Sequence, residues 1–258
     1  MPKLKDIRHR IRRKMARIRR EFERLLPAAN FDAIKSLEDL HAALRRVRFE
    51  NPPFEIDGWS TYDEQRALYA LARHLPGPIM EIGPWLGRST VCLARGIRDS
   101  GEVKQLLTCE LAPNLDNYRP IGEDRMGFYY PPESTESMGV CSRESFENEI
   151  KPFVAHPKGL IGLLRENLAR HQVEELVEVH VGDYRKSPDH VYRLLFTDSM
   201  HDEAEINRNA PDLKRFLGPD SILACHDTTK ENEALLRKRF NFGYSFQVDS
   251  LFVAEFEG

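Results

Sequence analysis

Residues 78–91, PIMEIGPWLGRSTV, join an apolar run to an acid, Glu81, and to two glycines, Gly83 and Gly87, that bracket a turn before a helical pattern. Glycines so placed let a backbone approach a ligand closely and adopt positive φ. A dinucleotide site would show G-x-G-x-x-G, with its pyrophosphate on the N-terminus of the following helix. Here the spacing is E-x-G-x-x-x-G. A carboxylate ahead of the turn disfavours a pyrophosphate and suits a cationic ligand. Other polar residues recur where later apolar runs end: Glu110 in CEL, Asp183 in VGDYR, Asp198 and His201 in FTDSMH, His226 and Asp227 in ACHDTT. Glu110 falls where a carboxylate accepts both hydroxyls of a ribose, and Asp183 where one accepts from an adenine amino group. S-adenosylmethionine, with an ammonium and a sulfonium and no phosphate, fits this set. NAD would also want Glu110, so that residue alone does not separate the two. Asp and Ser at strand ends also serve as helix caps, a competing reading for each position that explains all five ends less well. His201 and His226 are candidate bases, because an unperturbed imidazole titrates near neutral pH.

The elements that must position these residues alternate. Strand patterns at IMEIG, 103–111, 176–183, 192–200 and 221–227 are separated by helical ones. That order predicts a parallel sheet covered on both faces. The last two strand patterns, YSFQVDS and LFVAEFE, follow with almost no linker and must pair antiparallel, since a parallel return needs a crossover of about a dozen residues. Ahead of the sheet, 31–49 reads as a helix stopped by Pro52 and Pro53, and Thr61 with Glu64 has capping-box spacing for a helix running to about His74. Residues 112–155 carry little periodicity and many turn formers. A stretch of this kind in a compact domain is commonly a lid or disordered, and its MGFYYPP favours a lid or substrate wall.

The chain has 258 residues, 31% charged and 41% hydrophobic, and a net charge of −3. No window approaches the ~18 apolar residues of a membrane span, and no apolar signal core opens the chain. The expected location is cytoplasmic, with peripheral attachment to a membrane also open. Cys92, Cys109, Cys141 and Cys225 form no metal-finger spacing and read as reduced thiols. The charge is uneven: residues 1–20 carry ten Lys/Arg and one acid, leaving about −12 on the rest. Within residues 1–26 an apolar stripe recurs at steps of three and four, predicting a basic amphipathic helix. It could pack on its own domain or on a sister subunit as a homo-oligomer, or meet an anionic membrane surface or another partner. The acidic body argues against nucleic acid in the cleft.

EIGPWLGRST, CEL, GDY and LLFTDSMHDEAEINRNAPDLKRFLGPDSILACHDT, with the closing strand pair, resemble class I S-adenosylmethionine-dependent methyltransferases. Within these, the chain is most similar to the macrocin-type O-methyltransferase and cephalosporin-hydroxylase-like branch. The resemblance covers about residues 58–258, behind an N-terminal helical extension over 1–57. It implies a Rossmann-like α/β fold: a seven-stranded, mostly parallel sheet with its last strand antiparallel and helices on both faces. Carried over by motif, Glu81, Gly83 and Gly87 line the methionine moiety, with Ile82 and Ser89 beside them. Glu110 takes the ribose, Asp183 and Tyr184 the adenine end, and Asp198 the transfer site. The resemblance also implies a divalent cation such as Mg²⁺ on Asp198 and an acidic pair ending the fifth strand. Here that pair is His226 and Asp227, and imidazole suits softer metals better than Mg²⁺. The activity implied is O-methylation of a small molecule or sugar hydroxyl. Two alternatives stand beside it: a binding protein on the same fold acting through its basic helix, and a nicotinamide-dependent oxidoreductase.

Overall fold

The computed structural model describes residues 21, 23 and 25–258, so the basic helix expected over 1–26 lies, in residues 1–20, 22 and 24, outside the described residues. The strands, in chain order, are β1 (Ile79–Ile82), β2 (Leu106–Glu110), β3 (Tyr118–Pro120), β4 (Arg125–Phe128), β5 (Gly139–Ser142), β6 (Val177–Val181), β7 (Leu194–Thr197), β8 (Ile222–Cys225), β9 (Phe242–Val248) and β10 (Leu251–Phe256). Seven of them form one sheet in the order β6-β2-β1-β7-β8-β10-β9. Neighbours from β6 to β8 pair parallel, while β10 is antiparallel to both β8 and β9. The Rossmann-like sheet with an antiparallel final strand is therefore as expected. Its chain order reverses at β1, which has β2 on one side and β7 on the other; ligands of open α/β sheets bind at the carboxyl ends of strands beside such a reversal.

β1, β2, β7 and β8 are buried at every residue, as a parallel sheet covered on both faces requires. Alternation sorts their side chains. Ile79, Leu106, Leu194 and Ile222 join the core shared with helices Tyr62–His74, Arg88–Ser100 and Gly159–Arg170. Met80, Leu107, Leu195 and Leu223 join the opposite core, with helices Glu203–Leu213 and Lys230–Arg239. Each such fully buried side chain is worth about 1.5–3 kcal/mol against exposure. The Thr61–Glu64 capping box is present and starts the helix Tyr62–His74.

Two elements differ from expectation. The helix expected over 31–49 is broken into a 3₁₀ turn Phe31–Ala33, a helix Leu37–Ala43 and a 3₁₀ turn Leu44–Arg46. Ser36 and Asp39 form a capping box that starts the chain afresh at Leu37. Residues 112–155 are not structureless: β3, β4 and β5 form a small antiparallel sheet, followed by helical residues 143–154. Strands of three or four residues are too short to print a period of two on the sequence.

The turn after β1 depends on its glycines. Gly87 has φ 91° and opens the helix Arg88–Ser100, and a Cβ there would lie 2.6 Å from Leu164 Cδ1. Gly87→Ala is expected to cost about 1–2 kcal/mol from the left-handed backbone and crowding, read as a lower midpoint in thermal unfolding.

Candidate functional site

The ends of β1, β2, β6, β7 and β8 open onto one cavity of about 640 Å³. Ile82 and Gly83, Glu110, Asp183 and Tyr184, Asp198, and Asp227 line it from those five ends in turn. Trp85 (φ 52°), Ala112 (φ 55°) and Asp227 (φ 52°), at or just after three of the ends, are left-handed without being glycine. Each such residue costs about 1–3 kcal/mol and persists where its surroundings enforce it. Gly83 has φ 83°, and a Cβ on it would lie 3.1 Å from the Asp198 carbonyl oxygen, so the glycine turn abuts the end of β7.

Glu81 is placed differently from its neighbours. By strand alternation it points to the face covered by the helix Arg88–Ser100, is fully buried, and does not line the cavity. Its carboxylate accepts from Ser89 Oγ at 2.6 Å, Thr90 Oγ1 at 2.6 Å and Thr108 Oγ1 at 2.8 Å. Burial raises its pKa against the pull of those hydroxyls. Glu81 thus ties the turn and the helix start to β1 from beneath. Gly87, packed on Leu164, is also outside the cavity lining, and Ser89 borders only a small adjoining recess of about 30 Å³ with Gly83, Asp198 and His226.

Glu110 is 7% exposed and accepts from the backbone N–H of Trp85 at 3.2 Å and of Ala112 at 3.3 Å. Burial pushes its carboxyl up to about 7, partly offset by those N–H groups. Asp183 lines the cavity and also caps the short turn Tyr184–Lys186, accepting from Arg185 N–H at 3.0 Å. Tyr184 is mostly core, its hydroxyl donating to Asn209 Oδ1 at 3.1 Å.

At the end of β7 two imidazoles converge on one carboxylate oxygen. His201 Nε2 lies 3.0 Å and His226 Nδ1 3.1 Å from Asp198 Oδ1. The far nitrogens also face acids: His201 Nδ1 is 2.8 Å from Glu205 Oε2, and His226 Nε2 is 3.4 Å from Glu64 Oε2. Burial opposes charge on both rings, but the flanking carboxylates outweigh it, raising His201 to about 11 and His226 to about 10. The same two rings outweigh burial at Asp198 and hold its carboxyl well below the ordinary range. The setting therefore favours the protonated form of both rings beside Asp198.

The cluster of ligand-type atoms differs from the set expected. Among the described residues, Asp198, His201 and Asp227 each offer one ligand-type atom, and these three atoms lie within 4.8 Å of one another. His226, expected in that set, is 5% exposed and has both nitrogens turned to carboxylates. His201 stands in the cluster instead, although its own nitrogens also face Asp198 and Glu205.

Several cavity residues were not named singly from the sequence, although MGFYYPP contains Phe128 and Tyr130. Trp59 and Trp85 stand with ring centroids 5.8 Å apart, and the 112–155 segment adds Tyr118, Phe128 and Tyr130 to the wall. Glu205, four residues beyond His201, had a detectable signal in that spacing. The nearness of Glu64 to His226 crosses most of the chain and had none.

No curated protein sequence matches the chain. Among solved structures it is similar to the O-methyltransferase TomG from Streptomyces achromogenes, involved in tomaymycin synthesis, at 17% identity and a TM-score of 0.50 over 93% of this chain and 96% of that one. It is also similar to the Podospora anserina methyltransferase PaMTH1, at 14% identity and a TM-score of 0.52 over 95% and 96% of the two chains. At such identities the likeness is one of fold. Residues 80–228 match the family model described as a methyltransferase domain, a span that runs from β1 past β8 and takes in all five strand ends on the cavity. The chain belongs to that methyltransferase-domain family.

Proposed function

We propose that residues 58–258 transfer the methyl group of S-adenosylmethionine to a hydroxyl of a small-molecule or sugar acceptor, with 112–155 as the acceptor wall. The observation that carries this reading is Asp198. It ends β7 against the glycine turn, faces the cavity, and lies at the reversal of strand order. Family membership supports the reaction class. TomG was solved with SAM and PaMTH1 with SAH, which favours the same cofactor here.

In this reading Gly83 lets the methionine portion approach the backbone, Glu110 accepts from the ribose hydroxyls, and Asp183 borders the adenine end. Asp198 Oδ1 is occupied by two imidazoles, and no described residue donates to Oδ2. Oδ2 is then the atom that orients an acceptor hydroxyl for in-line attack. The carboxylates of Asp198 and Asp227 also favour the sulfonium cation electrostatically. A divalent ion on Asp198, Asp227 and His201 would require the His201 ring to give up its proton and one of its carboxylate contacts, and one imidazole in the set favours a metal softer than Mg²⁺. Bound there, such an ion would lower the pKa of an acceptor hydroxyl.

Incubation with methyl-labelled SAM and a panel of hydroxyl and amine acceptors, with and without a chelator, tests the proposal. Label in O-methyl products is expected. Label confined to amines would contradict O-methylation, and unchanged turnover in chelator would remove the metal.

A further inference from the structure

Glu64 is the N3 residue of the capping box that starts the helix Tyr62–His74, and a cap alone would explain one hydrogen bond of its carboxylate. It makes several more contacts. Oε2 accepts from Thr61 N–H at 2.7 Å and stands 3.4 Å from His226 Nε2. Oε1 accepts from Ser250 N–H at 2.8 Å and Ser250 Oγ at 2.7 Å, at the reversal between β9 and β10. Glu64 is 1% exposed and does not line the cavity. Burial would raise its pKa, but His226, Thr61 and Ser250 outweigh that and hold it at about 2. A buried charge so thoroughly held, with an ionic partner that also contacts Asp198, does more than begin a helix.

We propose that Glu64 is a positioning residue of the transfer site: it fixes the His226 ring so that Nδ1–H donates to Asp198 Oδ1 and Oδ2 is left to the cavity. The reasoning is geometric. An imidazole with a carboxylate on one side only can turn about its χ2 and present either nitrogen. With Nε2 3.4 Å from Glu64 Oε2, a charge contact short of hydrogen-bond geometry, and Nδ1 3.1 Å from Asp198, the His226 ring has one orientation in which both nitrogens face acids. Glu64 is itself fixed from two elements distant in sequence, the start of the helix Tyr62–His74 and the β9–β10 reversal. The order of the antiparallel terminal strands is thereby transmitted to an atom at the end of β7, as outer hydrogen bonds orient the groups that act. The inference rests on Asp198 being the transfer-site residue.

Nitrogen-15 NMR of histidine-labelled protein reads the ring directly, with His226 assigned by comparison with His226→Asn. In the wild type, a slowly exchanging Nδ1–H resonance of His226 is expected. Glu64→Gln should lose or shift it, while Thr61→Ala, which removes the cap hydroxyl but leaves the carboxylate, should keep it. A wild-type signal retained in folded Glu64→Gln would overturn the proposal, as would equal loss in Thr61→Ala. Should Glu64→Gln not fold, Ser250→Ala takes its place; it removes one donor to Glu64 and should shift the resonance, and an unchanged signal overturns the proposal. Calorimetry with S-adenosylhomocysteine on the same samples separates the two readings. Failure of the wild type to bind would sink the functional reading and leave the ring result standing by itself.

Discussion

Asp198→Ala is expected to lower methyl transfer by about 10²–10⁴-fold, the range associated with losing a group that handles the reacting proton, while S-adenosylhomocysteine affinity stays within severalfold. The asymmetry follows from position. Asp198 meets the cavity at the end of β7, whereas Glu110 and Asp183, which the proposal assigns to the ribose and adenine, meet it at the ends of β2 and β6. The substitution also removes the anion that both imidazoles face, and their rearrangement would add to the loss. Asp198→Asn controls for this, keeping the shape and one acceptor oxygen. Turnover lost in both variants, with melting temperature held in the second, is the expected pattern. Wild-type turnover in either would take Asp198 out of the reaction.

Glu110→Gln should do two opposite things. It removes a charged acceptor for the ribose hydroxyls, expected to weaken cofactor binding by about 10–100-fold, since hydrogen bonds to charged groups are worth ~1.5–3 kcal/mol. It should also stabilise the free protein at alkaline pH. The wild-type carboxyl titrates at about 7 in the fold against an ordinary 4.5. A raised pKa means the folded state holds the proton more tightly, and that advantage is complete below 4.5 and lost as pH rises through about 7. Above that pH the buried carboxylate therefore costs about 3 kcal/mol relative to its protonated form. Glutamine carries no such cost. Thermal unfolding should show the variant ahead at about pH 8 and the difference shrinking toward about pH 5. The same titration predicts wild-type cofactor affinity falling as pH drops through 7. A variant less stable than wild type at alkaline pH would mean that the Trp85 and Ala112 N–H groups need the charge more than burial opposes it.

Much of the fold was legible because its signals are local. β1, β2, β7 and β8 are short apolar runs closed by polar residues, and Thr61 with Glu64 states a helix start within four positions. The cavity was legible in outline, since a strand end is visible in sequence and the fold brings such ends together. What the sequence could not resolve was which way a side chain points at a strand end. Glu81 and Ile82 are adjacent, yet alternation turns Glu81 into the core beside Thr108 while Ile82 reaches the cavity. Nor could it tell which imidazole accompanies the carboxylates, because His226 is turned between Asp198 and Glu64, and that depends on a contact between the first helix of the sheet domain and β8. That 112–155 would wall the cavity was legible in MGFYYPP, while its strands β3, β4 and β5 were hidden by their shortness.

The most direct test of the cofactor assignment is calorimetric titration of the purified protein with S-adenosylhomocysteine, with NAD(H) in parallel. Micromolar binding of the first and none of the second is the predicted result. Binding of NAD(H) alone, or of neither, would contradict the assignment of the Gly83 turn and Glu110 to a methyl-donor site.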